Sequence, residues 1–241
     1  MSTEHIVKSF DEELKQLSQM VAQMGGLAEA QLQTAIEALV ARDAEGAARV
    51  VKSDVRIDQL ERQISNQTIR MLALRQPMAQ DLRQVVAALK ISSDIERIGD
   101  YAANVAKRAI ALTQSPPMRP VGAIARMGRL VQQIIKDTLD AYSDNNAEKA
   151  IAAWKRDQEV DDMYNSLFRE LLTYMMEDPR NIGPSTHLLF IAKNIERIGD
   201  HATNIAETIY FVVHGVPLAE TRPKGDTTSF TVVSPADRTG S

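Results

Sequence analysis

The 241-residue sequence contains no cysteine. Structural disulfides and thiolate metal sites are therefore excluded, and the usage fits a reducing compartment. No apolar run approaches the ~18 residues that a membrane span needs, and Met1 to Phe10 carries no apolar core of a signal sequence, so a cytoplasmic protein is expected. A basic excess is also missing. The net charge is −4, which argues against a protein that works by binding nucleic-acid phosphates. Aromatics are scarce, with a single tryptophan. All nine prolines fall at Pro77, at Pro116, Pro117 and Pro120, at Pro179 and Pro184, and after Gly215.

Between those marks lie long stretches rich in Ala, Leu, Ile, Met, Glu, Gln, Arg and Lys, which are good helix formers. The expected fold is all-α. The pattern predicts six long helices, over about Glu4 to Val40, Ala44 to Arg75, Pro77 to Thr113, Val121 to Tyr142, Ala147 to Met176, and Ser185 to His214. Asp43 reads as an N-cap, Gly25-Gly26 as a kink, and Pro77 as a first-turn residue. Three long helices joined by short turns pack antiparallel as a bundle. The expectation is two tandem, pseudo-twofold-related three-helix bundles, 1–115 and 121–214, followed by a flexible tail over 215–241.

The duplication is written in the sequence itself. Asp94-Ile-Glu-Arg-Ile-Gly-Asp-Tyr-Ala-Ala-Asn104 returns as Asn194-Ile-Glu-Arg-Ile-Gly-Asp-His-Ala-Thr-Asn204. In each copy an acid pair stands four residues apart, Glu96 with Asp100 and Glu196 with Asp200, so both carboxylates share one helix face about 6 Å apart along the axis. Such like-charge pairs destabilise a helix by about 0.2–0.5 kcal/mol, and repeating them suggests a cation. A second pair precedes each copy: Asp54 with Asp58, and Asp157 with Asp161. Folding each hairpin about its turn, at Gln76-Pro77 and Asp178-Pro179, brings the two pairs of a half to one level. Oxygen-only donor sets of this kind suit Mg²⁺, Ca²⁺ or Mn²⁺ and could hold iron; zinc fits less well.

Ile91, Ile95, Ile98, Ala102 and Val105 form a seam, as do Ile191, Ile195, Ile198, Ala202 and Ile205. The acids fall on the opposite side, which places them outside the core. The bland alternative is a solubilised surface, with Arg97 neutralising Asp94. Asn104 and Asn204 extend the acid stripe as weaker ligand candidates, and His201 reads as a surface residue. Trp154, Tyr164, Phe168, Met163, Met175 and Met176 read as packing.

These blocks, together with Pro77-Met-Ala-Gln-Asp-Leu-Arg83, resemble the PhoU family of bacterial phosphate-transport accessory proteins over both halves to about His214. The resemblance implies multinuclear or divalent metal sites at Asp54, Asp58, Glu96, Asp100, Asp157, Asp161, Glu196 and Asp200. It also implies a homodimeric negative regulator of the phosphate-starvation response. Such a regulator links a phosphate ABC transporter, through its ATPase subunit, to a sensor histidine kinase, and reaches the membrane through those partners. Pro179-Arg-Asn-Ile182 departs from the first-half pattern, so roles of Asp81 or Arg83 do not transfer to the second half. The alternatives are a metal-dependent phosphohydrolase, a ferritin-like oxidase and a plain helical scaffold. An open acid face without a nucleophile–base pair or a phosphate-cradling loop disfavours the first, and the absence of inward Glu-x-x-His motifs disfavours the second.

Overall fold

A computed structural model of the chain describes residues 3–219. The expected tail therefore lies, from residue 220 onward, outside the described residues. Among the described residues eight α-helices follow one another: α1 (Thr3–Ala41), α2 (Ala44–Ser53), α3 (Val55–Arg75), α4 (Ala79–Leu112), α5 (Val121–Ser143), α6 (Ala147–Lys155), α7 (Asp157–Glu177) and, after a 3₁₀ turn at Pro179–Asn181, α8 (Ile182–His214). They make six rods. The expected second and fifth helices are each interrupted at one residue, Asp54 and Arg156, both still in right-handed helical conformation. The first break is at Asp54, the first acid of its pair, and the second is one residue before Asp157; neither proline nor glycine announces them.

The start of each second rod is built alike in the two halves. Asp43 accepts from the Gly46 amide and Asn146 from the Lys149 amide, each satisfying one of the amides that a helix start leaves open. The residues just before them, Arg42 and Asn145, both adopt positive φ, 58° and 50°. Asp43 N donates to Ala38 O and Asn146 N to Ala141 O, so the two turns carry matching backbone hydrogen bonds. The register then matches Asp54 with Asp157 and Gln31 with Ile134.

α4 and α8 form the antiparallel spine: Arg83 reaches the Val212 carbonyl at one end, and Arg108 lies over the Phe190 ring at the other. α1 and α5 cross beside it, also antiparallel. A Cβ on Gly25 would overlap Leu139, and one on Gly128 would overlap Ile36. α1 runs unbroken through Gly25-Gly26, and Gly25 serves that close approach rather than a kink. The two halves share one apolar core that includes both isoleucine seams, from Ile91 to Val105 and from Ile191 to Ile205. The cost of such a spine is that α4 and α8 have little free surface, which bears on the acids below.

Helix ends are held by side chains from elsewhere in the chain. The Arg42 guanidinium donates to the Thr113 and Ser115 carbonyls beyond α4, at 2.8 and 2.5 Å. Pro77 precedes α4 by two residues instead of lying in its first turn, and Gln76 closes α3 in the left-handed region. Gly215, at φ 74°, closes α8. Beyond it Leu218 packs partly buried against the core. Among the described residues no helix is long and apolar enough to cross a membrane.

Candidate functional site: two carboxylate grooves

Each half carries a groove where the spine helix meets the second rod, lined by α3 and α4 in one half and by α7 and α8 in the other. In the first, the broken helix turns Asp54 over Gly99: Asp54 Oδ1 lies 3.3 Å from where a Gly99 Cβ would stand. In the second, Asp157 Oδ1 lies 3.0 Å from the corresponding point on Gly199. A side chain at either position would crowd the incoming carboxylate, and at Gly99 it would press on Ile57 Cδ1 as well, so glycine permits the closest approach.

The acids of each half sense one another as charges. Burial, and after it the negative charges of Asp100 and Asp58, pushes the Asp54 carboxyl above its usual value, against a hydrogen bond from Gln31 and the more distant pull of Lys107. Burial, then Asp100, raises Glu96, with Asp58 and Glu61 adding to it and Arg97 opposing. In the second half, burial first and then Asp200 and Asp161 push Glu196 up to about 7, although a hydrogen bond from Lys193 pulls the other way. Charge thus acts across each hairpin, from Asp100 on Asp54 and from Asp58 on Glu96 in the first half and from Asp161 on Glu196 in the second. No set of three or more Asp, Glu or His side chains closes into a ready-made metal cage among the described residues.

Their exposure differs from the expectation. Asp157, Asp161 and Glu196 are buried, and Asp54, Asp58, Glu96, Asp100 and Asp200 are half-buried. An outward face was inferred from one apolar seam per helix. The spine helices, however, pack against neighbours on several sides, so the flank opposite the seam is a groove between rods.

Three further corrections concern neighbouring residues. Asp94 pairs not with Arg97 but across the spine, accepting from His201 Nδ1 at 2.8 Å and from Asn204 Nδ2 at 3.3 Å. His201 is thus a contact between the halves, stacked on Tyr101 with ring centroids 5.7 Å apart. Asn204 is engaged by that contact and Asn104 by Lys107 Nζ, at 3.3 Å. Arg97 instead reaches Asp100 and Glu96, at 3.3 and 3.5 Å. Of the residues read as packing, Trp154 and Tyr164 are buried, whereas Met176 is 64% exposed.

Sequence reasoning missed two residues of the grooves. Gln31 on α1 donates its amide to Asp54 Oδ1 at 3.1 Å and to the Val50 carbonyl at 3.3 Å. Lys193 on α8 donates to Glu196 Oε1 at 2.8 Å and lies 4.9 Å from the Tyr164 ring centroid. Aligning the halves position by position would have exposed both, because Ser93 and Ile134 stand at the matching places.

The PhoU domain profile matches the chain twice, over residues 21–109 and 124–209. A Caulobacter vibrioides protein named phosphate-specific transport system accessory protein PhoU homolog is 55% identical over 228 residues, covering 94% of this chain and 99% of that protein. A Rhizobium meliloti protein of the same name is 50% identical, covering 95% and 97%. The crystal structure of PhoU from Pseudomonas aeruginosa matches with a TM-score of 0.84 at 40% identity, over 86% of this chain and all of that one. The phosphate transport system regulatory protein PhoU from Streptococcus pneumoniae matches with a TM-score of 0.81 at 30% identity, over 88% of this chain.

Proposed function

Because the chain belongs to the PhoU family, we propose that it is a non-enzymatic, cytoplasmic regulator of phosphate transport. In this reading it is a homodimeric adaptor that meets the ATPase subunit of a phosphate ABC transporter and a phosphate-sensing histidine kinase. It restrains uptake and the starvation response while phosphate is plentiful. One observation supports the reading above the others: relatives named as accessory proteins of the phosphate-specific transport system align over nearly their whole length and nearly the whole of this chain.

The carboxylate grooves are the feature through which such an adaptor would bind divalent or multinuclear metal, with Asp54, Asp58, Glu96 and Asp100 in one half and Asp157, Asp161, Glu196 and Asp200 in the other. Oxygen donors of this kind suit a hard cation, and carboxyls held above their usual pKa by burial and by one another would be stabilised by a positive charge that enters. A bound ion would supply charge neutralisation at a groove that otherwise repels itself, and would leave coordination positions for an anionic group of a partner. The grooves hold no nucleophile–base pair, and nothing in them favours hydrolysis.

The test captures partners from phosphate-replete cells with the full-length chain and measures metal by elemental analysis after chelator-free purification. We expect recovery of the transporter ATPase and the kinase, and a constitutive starvation response when the chain is deleted. Recovery of neither partner, with the response unchanged on deletion, would overturn the adaptor reading.

A further inference from the structure

The two ends of the α4–α8 spine are built on matching positions but carry different charge. At one end Asp94 of α4 accepts from His201 Nδ1 and Asn204 Nδ2 of α8, so a carboxylate ties the two helices together. The residues at the matching places for the other end are Asn194, Tyr101 and Asn104. A neutral amide therefore replaces the carboxylate there.

The surroundings of that amide are basic. Asn104, Lys107 and Arg108 of α4 and His187 and Asn194 of α8 line a cavity of about 360 Å³ between the two helices, and no carboxylate lines it. α4 has no acid between residues 101 and 112, nor has α8 between 182 and 195. Lys107, Arg108 and His187 match Glu207, Thr208 and Ala87, so the basic cluster belongs to one end alone.

The fold positions these cations without neutralising them. The Arg108 guanidinium lies over the Phe190 ring, 4.2 Å from its centroid, which orients the planar fork and leaves its charge unmatched. Lys107 Nζ donates to the neutral Asn104 Oδ1 at 3.3 Å, and the acid its charge acts on is Asp54, in the first carboxylate groove. Neither cation is in an ion pair with a carboxylate among the described residues. His187 Nδ1 is buried with no hydrogen-bond partner among the described residues, so no bond at that atom fixes the ring's tautomer, and its proton is free to follow a ligand.

We propose that this cavity binds the oxyanion of a phosphate group, which brings to this end of the spine the negative charge that Asp94 supplies at the other. Arg108 and Lys107 meet its oxygens with charge-assisted hydrogen bonds, and the Asn104 and Asn194 amides offer both a donor and an acceptor, the acceptor for a P–OH proton. Bound between Arg108 of α4 and His187 of α8, the anion ties the halves together as Asp94 does. The inference goes beyond the proposed function and does not draw on the carboxylate grooves, which concern cations.

The experiment titrates inorganic phosphate and, separately, glycerol 3-phosphate into full-length protein dialysed free of phosphate, by calorimetry and with the melting temperature read in parallel. One saturable site per chain is expected, together with a rise in melting temperature. Arg108→Gln should weaken binding about 10–100-fold, the size of a hydrogen bond to a charged group. Asn194→Asp, which restores the carboxylate of the other end, should abolish binding. Lys90→Gln removes an exposed cation at the opposite end of the spine and should change nothing. Arg108→Lys, which keeps the charge and loses the two-pronged contact, replaces the glutamine variant if that one does not fold, and should also weaken binding. Tighter binding of the inorganic ion marks free phosphate as the ligand, and tighter binding of the ester marks a phosphate group carried on a larger molecule. Three results would overturn the site: no saturable binding of either anion, a folded Arg108 variant that binds as wild type does, or a Lys90→Gln variant weakened as much as Arg108→Gln, which would mean a general attraction to surface charge.

Discussion

The halves of this molecule share a skeleton and differ in its wiring. Turn for turn they correspond: Asp43 and Asn146 cap the matching helices α2 and α6, Arg42 and Asn145 both take the left-handed conformation, and Gly99 and Gly199 each leave a notch for Asp54 and Asp157. The side chains around the notch do not. Glu96 keeps 27% of its side chain exposed and is flanked by Arg97. Its counterpart Glu196 keeps 5% and is met by Lys193. About three turns further along the spine helix, Lys107 acts on Asp54 in the first half, whereas Glu207 in the second accepts from Trp154 Nε1 at 3.0 Å. Duplication conserves what the backbone needs, such as caps, glycines and the apolar seam. It frees the positions that set local charge.

That difference should show most strongly in the pH dependence of stability. Burial, with Asp200 and Asp161 adding to it, pushes the Glu196 carboxyl up to about 7 from the ordinary 4.5 of a glutamate, so the folded state holds that proton the more tightly. Stability from this group is therefore complete below about 4.5 and is lost as pH rises through about 7. In metal-free buffer, urea unfolding of wild type should weaken by about 1–3 kcal/mol between pH 5 and 8 relative to Glu196→Gln, whose curve should be flatter. Glu96→Gln should remove a smaller slope, because its side chain is better solvated. Equal slopes in the two variants would erase the distinction between the grooves.

A control is needed where the halves ought to agree. Asp43→Ala and Asn146→Ala each delete one side-chain cap onto a backbone amide three residues on. Each should cost about 1 kcal/mol by denaturant unfolding, within the 0.5–2 kcal/mol usual for such caps. A several-fold disparity between them would mean that the difference between the halves reaches into the backbone.

Much of the fold was legible because it depends on periodicity and on stop signals. The rods, the turn at Asp43, the split near Pro116 and both isoleucine seams follow from residue spacing alone. The Asp54 and Arg156 breaks were not legible, since both residues keep helical dihedrals and no glycine or proline marks them. The acid pairs were visible as pairs, and equal rise per residue predicts that the two pairs of a half lie at one level. Their burial was not visible, because a single amphipathic seam says nothing about a helix with neighbours on several sides. Leu74 and Met176, apolar by type, are 68% and 64% exposed near the ends of α3 and α7, where periodicity outlasts the partner it would pack on. The exchange between Asp94 and His201 links α4 to α8, and no pattern within one helix could reveal it.

The smallest effect tests the comparison most finely. Arg97 reaches both Glu96 and Asp100, yet its side chain is 57% exposed, so solvent screens the pairs and removing them should change stability by less than about 1 kcal/mol. Arg197, its counterpart, instead donates to the Tyr101 hydroxyl at 3.5 Å, with its guanidinium carbon 6.0 Å from that ring centroid. A metal ion entering the first groove must compete with Arg97 for the same two carboxylates, whereas Arg197 is directed away across the spine. Arg97→Ala should therefore leave the unfolding curve nearly unchanged and raise Mn²⁺ affinity several-fold, and Arg197→Ala should leave that affinity alone. Mn²⁺ titration of the two variants checks this. If both raise affinity alike, Arg97 acts only as one positive charge among others on the surface, and its contact with Glu96 and Asp100 has no bearing on how the groove accepts an ion.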